Sequence, residues 1–292
     1  MNLLSLYRIF ICLATPFILI LLFIRKKKGK EDPRRFPERL GRKLPSRPTG
    51  KLIWMHGASV GECLSMQPLI KKLLESDSKL HIMVTSGTVT SAELMAKRLP
   101  ERAFHAYIPV DFATAARRFV RHFHPDAVLW FESEFWPNLL SEIHQAGIPL
   151  VLLNGRISDH SFQRWQRFPR IIRAILGLFT FVFGQTQEDA RRLQVLGAAD
   201  TVCVGNLKYA APPAPFSQEQ LDTLLNQIGK RPCWVGGSTH SDEEAQMADV
   251  HARLLADFPD LLTISAPRHP NRREVVEKAF ADRGLKVAIR SR

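Results

Sequence analysis

The chain is short of the signatures that mark most nucleotide and metal chemistry. No G-x-G-x-x-G follows an apolar run, which disfavours a nucleotide-dependent oxidoreductase, and no Gly-Lys-Ser/Thr closes a glycine-rich stretch, which excludes a Walker loop. No D-x-D pair is present to hold a divalent ion on a nucleotide diphosphate. The four cysteines, Cys12, Cys63, Cys203 and Cys233, are far apart with no C-x-x-C or Cys/His ligand spacing, so they read as free thiols in a reducing compartment. Cys63 beside Glu62 reads as a small buried side chain in preference to a nucleophile. His122-Phe123-His124 is the one close histidine pair, and it reads as a helix end, so no metal site is expected. Acidic residues are in deficit, 28 against 41 Lys+Arg, and the net charge of +13 points toward anionic partners. There is no internal repeat and no low-complexity tract.

What is present is enough for roughly two domains at about 150 residues each. Hydrophobic residues make up 45% and charged residues 24%, an ordinary globular balance. Residues 3–24 are apolar apart from Ser5, Arg8 and Thr15, and Arg25-Lys26-Lys27-Lys28 follows at once. That pattern predicts a membrane anchor helix over residues 1–24, just long enough to span, with the body of the protein on the cytoplasmic side. No small-residue cleavage site follows it. Residues 25–51, basic and rich in proline, read as a tether. From residue 52 short apolar runs (52–55, 81–85, 127–131, 150–153, 179–183, 202–204) alternate with helical patterns (62–75, 91–99, 112–123, 137–146, 187–196), the mark of a parallel sheet covered by helices. Residues 52–209 are therefore expected as a doubly wound, Rossmann-like domain. The proline-rich stretch 210–217 reads as a linker. A second alternation over 218–292 (helix 218–227, strand 233–236, helix 242–258, strand 261–265, strand 287–289) reads as a partial second domain, truncated before both faces of its sheet can be buried.

Candidate site residues gather at the ends of these strands, where open parallel sheets bind ligands. In His56-Gly57-Ala58-Ser59-Val60-Gly61-Glu62 two glycines let backbone crowd a ligand, and Glu62 stands at a helix N-terminus whose dipole suits a carboxylate. It is the best candidate for a general base. A first-turn Glu that only stabilises the helix remains the alternative. Glu132-Ser133-Glu134-Phe135-Trp136-Pro137-Asn138 offers two acids able to orient sugar hydroxyls or steady a cationic centre, Glu132 the better placed. Asn154-Gly155-Arg156, Asn206-Leu207-Lys208 and Pro267-Arg268-His269 bring amides and cations suited to a phosphate or carboxylate. Gly236-Gly237-Ser238-Thr239-His240 precedes a helix and offers backbone N–H groups. Arg164, Arg167, Arg170 and Arg173 recur every third residue beside apolar ones, a basic stripe suited to anionic lipid if carried on one helix.

Together these motifs resemble the Kdo (3-deoxy-D-manno-octulosonic acid) transferases. The resemblance covers nearly the whole chain and rests on Ser59-Val60-Gly61-Glu62, Glu132 to Asn138, Asn154 to Ser158, Gly205-Asn206-Leu207-Lys208, Ser238-Thr239-His240 and Pro267-Arg268-His269-Pro270. It implies a GT-B-like fold of two Rossmann-like domains, and an inverting transfer of Kdo from CMP-Kdo to a lipid A precursor in lipopolysaccharide synthesis, without a metal. It places the enzyme by its N-terminal helix on the cytoplasmic face of the inner membrane, among anionic lipids, with no nucleic-acid partner. Glu62 aligns with the family's general base, Glu132 and Lys208 with its transition-state stabilisers, and Arg268 with His269 where it holds CMP. Family members continue past this point with a further nucleotide-binding stretch. The competing expectation is a truncated, inactive membrane-tethered protein that binds lipid or nucleotide.

Overall fold

The computed structural model describes residues 3–132, 134–210 and 216–290. Ser133 and residues 211–215, most of the expected linker, lie outside the described residues. The chain divides into two compact units, Met1–Pro212 and Pro213–Arg292.

The apolar runs of the first unit become the strands β1 (Lys51–His56), β2 (Leu80–Ser86), β3 (Ala103–Tyr107), β4 (Ala127–Phe131), β5 (Leu150–Gly155), β6 (Phe181–Gly184) and β7 (Thr201–Cys203). They form one parallel sheet in the order β3-β2-β1-β4-β5-β6-β7. This is the doubly wound order expected, and its direction reverses between β1 and β4. Preceding and connecting the strands are the helices α1 (Leu3–Lys27), α2 (Val60–Ser65), α3 (Gln67–Ser76), α4 (Val89–Arg98), α5 (Ala113–Phe123), α6 (Pro137–Gln145), α7 (Asp159–Gln166), α8 (Pro169–Leu176) and α9 (Gln187–Val195).

Alternate side chains of each strand feed two cores, one per face. Trp54, Trp130, Leu150 and Leu152 join one with Phe119 and Phe123 of α5, while Met55, Ile82, Phe131 and Leu153 join the other with Ile70 of α3. Trp54 is fully buried, its ring 5.1 Å from Phe119 and 6.0 Å from Trp130, with its indole N–H donated to Thr85 Oγ1 at 2.8 Å.

Several expected elements differ. Residues 62–75 are not one helix: Pro68 near the start of α3 removes a donor and breaks the run at Met66. Strand β3 was not anticipated, because its Ala-Phe-His-Ala-Tyr sequence is weakly apolar and only its last two residues are buried. The arginine stripe does not lie on one helix, since Pro169 forces Phe168 out of helical geometry and starts α8 anew. Arg164 and Arg167 therefore belong to α7 and its end, Arg170 and Arg173 to α8, all exposed.

The stretch expected as a tether is packed against the first unit. A short 3₁₀ turn, Phe36–Leu40, carries Arg39, which donates to the Ile108 carbonyl and pairs with buried Glu31 at 3.3 Å, while Arg35, just before the turn, pairs with Glu38 at 2.6 Å. Glu38 in turn accepts from the Tyr107 N–H at 2.9 Å. Buried charges with such partners fix the segment to the β3 edge, which apolar counting cannot foresee.

The second unit is smaller: α10 (Gln218–Ile228), β8 (Cys233–Thr239), α11 (Glu243–Leu254), β9 (Leu262–Pro267) and α12 (Arg273–Ala281). β8 and β9 pair in parallel, and the core is Met247, Ala248 and Phe280 with Trp234, Val276 and Leu285 against it. Residues 287–289, expected as a strand, carry none, and α12 was not anticipated.

Candidate active site

The chain leaves β1 through Gly57 and Ala58 into α2, capped by Ser59, whose Oγ accepts from the Glu62 N–H at 3.2 Å. Glu62 returns the bond. Its Oε1 accepts from Ser59 Oγ at 2.7 Å and its Oε2 from the Ala58 N–H at 2.8 Å, so both oxygens are held and the residue is buried. This reciprocal cap orients the carboxylate at the helix start. A Cβ on Gly57 would press on Met66 Cε and come within 3.1 Å of Glu62 Cβ. The glycine therefore makes room for α2 itself, and the ligand-crowding role expected for it is not needed to explain it. Gly61 is exposed, and a Cβ there would touch only Ser59 Oγ at 3.9 Å. Next to Glu62, burial and then the Glu62 charge push the Cys63 thiol up to about 12, which removes it as a nucleophile.

Glu132, one residue past β4, has φ +56, and Asn154, near the end of β5, has φ +55. Both adjacent strands thus turn through the left-handed region at the same edge. Asn154 is buried and its Oδ1 accepts from the Leu207 N–H at 3.1 Å, while Asn206 Oδ1 accepts from the Lys208 N–H at 2.9 Å. Those two bonds aim Lys208 back across the edge, where its Nζ meets Glu132 Oε1 at 2.8 Å. Glu62, Glu132, Glu134, Arg156 and Ser158 line one open depression of about 460 Å³. It lies where β1 and β4 part, at the switch in strand order.

One participant was missed at the sequence level. His56, the last residue of β1, is buried beneath this depression, its ring 4.2 Å from Trp130. Its Nδ1 is 2.9 Å from the Thr85 hydroxyl and its Nε2 is 3.5 Å from Glu134 Oε2. With Nδ1 accepting from Thr85, the ring proton sits on Nε2, facing the carboxylate. Burial opposes the charge on Glu134, but the polar His56 ring facing it, with Trp136 and Arg39, outweighs that and holds the carboxyl below its usual range. The signal available was positional: a histidine ending the strand beside the switch point.

Arg268 and His269 belong to the second unit, both exposed just past β9. The Arg268 N–H donates to the Thr239 carbonyl at 3.0 Å. The Gly236 to Thr239 stretch is the end of β8, and the helix expected after it, α11, begins at Glu243. A Cβ on Gly236 would collide with the Met247 thioether, so that glycine admits α11. Thr239 Oγ1 donates to buried Glu244 at 2.9 Å, and Arg272 grips the same carboxylate at 2.9 and 3.1 Å. His122 and His124, set aside as a helix end, close α5: His124 takes the left-handed C-cap and His122 lies 2.7 Å from the Pro45 carbonyl.

Comparison with known proteins agrees with this architecture. Residues 34–211 match the family described as 3-deoxy-D-manno-octulosonic-acid transferase (kdotransferase). The chain is 32% identical over 89% of its length to a 3-deoxy-D-manno-octulosonic acid transferase of Rickettsia bellii, covering 62% of that protein. It is 29% identical over 92% of its length to one of Haemophilus influenzae, covering 64%. The chain thus spans about three-fifths of the length of these relatives. Among solved structures, a glycosyltransferase from Rickettsia africae superposes with a TM-score of 0.55 at 12% identity over 82% of this chain and 66% of that one. A UDP-GlcNAc 2-epimerase from Neisseria meningitidis gives 0.57 at 12% over 80% and 69%. The shared architecture is the GT-B fold.

Proposed function

Because this chain belongs to the 3-deoxy-D-manno-octulosonic-acid transferase family, we propose that it is an inverting glycosyltransferase that moves Kdo from CMP-Kdo to a hydroxyl of a lipid A precursor at the cytoplasmic face of the inner membrane. The observation that carries the reading is the convergence of Glu62, Glu132 and Arg156 on one depression at the switch point.

In this scheme Glu62 takes the proton of the attacking hydroxyl as the new glycosidic bond forms. Ser59 suits that task, because its hydroxyl donates to the ionised carboxylate and accepts from the protonated one, so the contact survives the transfer. The reacting sugar carbon gains positive character as its bond to the phosphate of CMP breaks. Glu132, aimed by Lys208, steadies that charge, and Arg268 with His269 holds the departing CMP. No covalent intermediate is required, and no metal is assigned a role.

A second reading, a membrane-bound protein that holds lipid or nucleotide without transferring sugar, is favoured by one observation: both Glu62 oxygens already serve the α2 cap. The two readings separate in one experiment. Turnover of CMP-Kdo with a lipid A precursor, followed by mass spectrometry, should fall about 10²–10⁴-fold in Glu62→Gln while calorimetric CMP-Kdo binding persists. Equal turnover in both proteins removes Glu62 as the base; binding without turnover in the unaltered chain establishes the second reading.

A further inference from the structure

The helix α1 is long and apolar enough to cross a bilayer, yet its contacts do not suit a spanning segment. Near its N-terminal end Tyr7 donates its hydroxyl to Asp111 Oδ2 at 2.8 Å. Arg8 donates to Asn138 Oδ1 and to Glu142 Oε1, both at 3.1 Å. Asp111, Asn138 and Glu142 are buried polar residues of the globular body, and Asp111 also accepts from the Asn138 and Leu139 N–H groups at 3.0 and 2.8 Å, capping α6. At the other end Leu22 is buried, and Arg25 pairs with buried Glu31 at 2.7 Å, which Arg39 ties to the β3 exit. From residue 8 to residue 25 an α-helix rises about 25 Å. Both ends of that length are therefore pinned to one globular unit.

The burial pattern between the ends agrees. Leu4, Tyr7, Ile11, Ile18, Leu22 and Arg25, three to four residues apart or multiples of that, are covered in part or whole. The opposite face is bare: Phe10, Leu13 and Phe17 are 66%, 72% and 75% exposed, with Ile20 and Ile24 continuing the same stripe. A helix that left the body to cross a bilayer would be uncovered all round beyond its first turns. A stripe of large apolar side chains on one face, ending in Arg25-Lys26-Lys27-Lys28, fits the boundary between headgroups and acyl chains of one leaflet. Lys27 lies over the Phe23 ring at 5.0 Å and Lys26 over Phe36 at 5.1 Å, so the basic end snorkels beside the apolar face.

We propose that α1 lies in the plane of one leaflet of an anionic bilayer, docked along the first unit, and does not span it. Both ends of α1 and the body after it are then on the same side of the membrane. This inference stands on the α1 contacts alone and is independent of the transferase reading.

The test uses the full chain bound to the outside of sealed phosphatidylethanolamine and phosphatidylglycerol vesicles. A cleavable tag placed before Met1 should be removed by external protease, and Arg8→Cys with Glu142→Cys, in a background without the native cysteines, should be joined by a short bis-maleimide in the membrane-bound state. A protected tag, or cysteines that cross-link in solution but not on vesicles, would overturn the proposal. Phe10→Glu with Phe17→Glu should lower vesicle co-sedimentation about a hundredfold or more while circular dichroism stays unchanged. Unchanged co-sedimentation would overturn the proposal, and lipid-free sedimentation as a dimer that this pair of substitutions dissolves would assign the bare face to a second copy.

Discussion

The two units repeat the same alternation of strand and helix but bury it differently. In the first, seven strands give every central side chain neighbours on both sides, and two separate cores form, one on each face. In the second, two strands shelter three buried apolar side chains on one face, while Val235 on the other is 62% exposed. What holds the smaller unit is accordingly more polar: the buried Glu244 carboxylate, gripped by Arg272 and Thr239, sits where a larger sheet would have aliphatic packing. The alternation is a property of sequence, whereas burial is a property of how many neighbours the alternation finds.

The comparison can be broken most directly at its apolar side. Trp54→Ala should cost about 3–5 kcal/mol in the first unit, with Met247→Ala in the second costing nearer 2 kcal/mol, both read by chemical denaturation with hydrogen exchange assigning the unit affected. Equal costs would mean that the small core packs as well as the large one. Arg272→Ala should destabilise the second unit by about 3 kcal/mol, because it strands a buried carboxylate, and Arg272→Lys should restore part of the loss. If Arg272→Ala is silent, the polar account of that unit is wrong.

Smaller effects sharpen the picture within the first unit. Asn154→Ala removes the acceptor that holds Leu207 and should cost about 1–2 kcal/mol, while raising exchange at the Leu207 amide. Burial and then Arg35 push His105 down to about 3, and its partners are Arg35 at Nδ1 and Ser86 at Nε2. Above the unfolded value of about 6.5 neither state binds the proton. As pH falls from there toward 3 only the unfolded chain binds it, so stability drops by up to about 1.4 kcal/mol per pH unit. His105→Asn should remove that component from a denaturation series between pH 7 and 4.

The larger sheet was legible because its strands are short apolar runs between amphipathic helices, and Ala127–Phe131 appears with the bounds expected. β3 was not, because its run is weakly apolar and the segment 28–50 that covers it is tied there by Arg35, Glu38 and Arg39, whose bonds leave no periodicity. The same holds at the site. Glu62, Glu132 and Lys208 were visible as polar residues after strands, and the structure brings Glu132 and Lys208 into contact. His56, at the end of β1, stood in the motif leading to Glu62 without a role, and Gly57, noticed for its freedom, turns out to be needed for its small volume. Arg272 lacked any motif, since its partner Glu244 lies 28 residues away.

The left-handed backbone at Glu132 carries one more implication. A residue with a branched-off carboxylate chain and φ +56 holds a conformation that glycine would adopt freely. The ion pair to Lys208 is too exposed to offset much of the cost of that bend. Glu132→Gly should therefore relax the backbone at that corner of the sheet while leaving Lys208 without its partner.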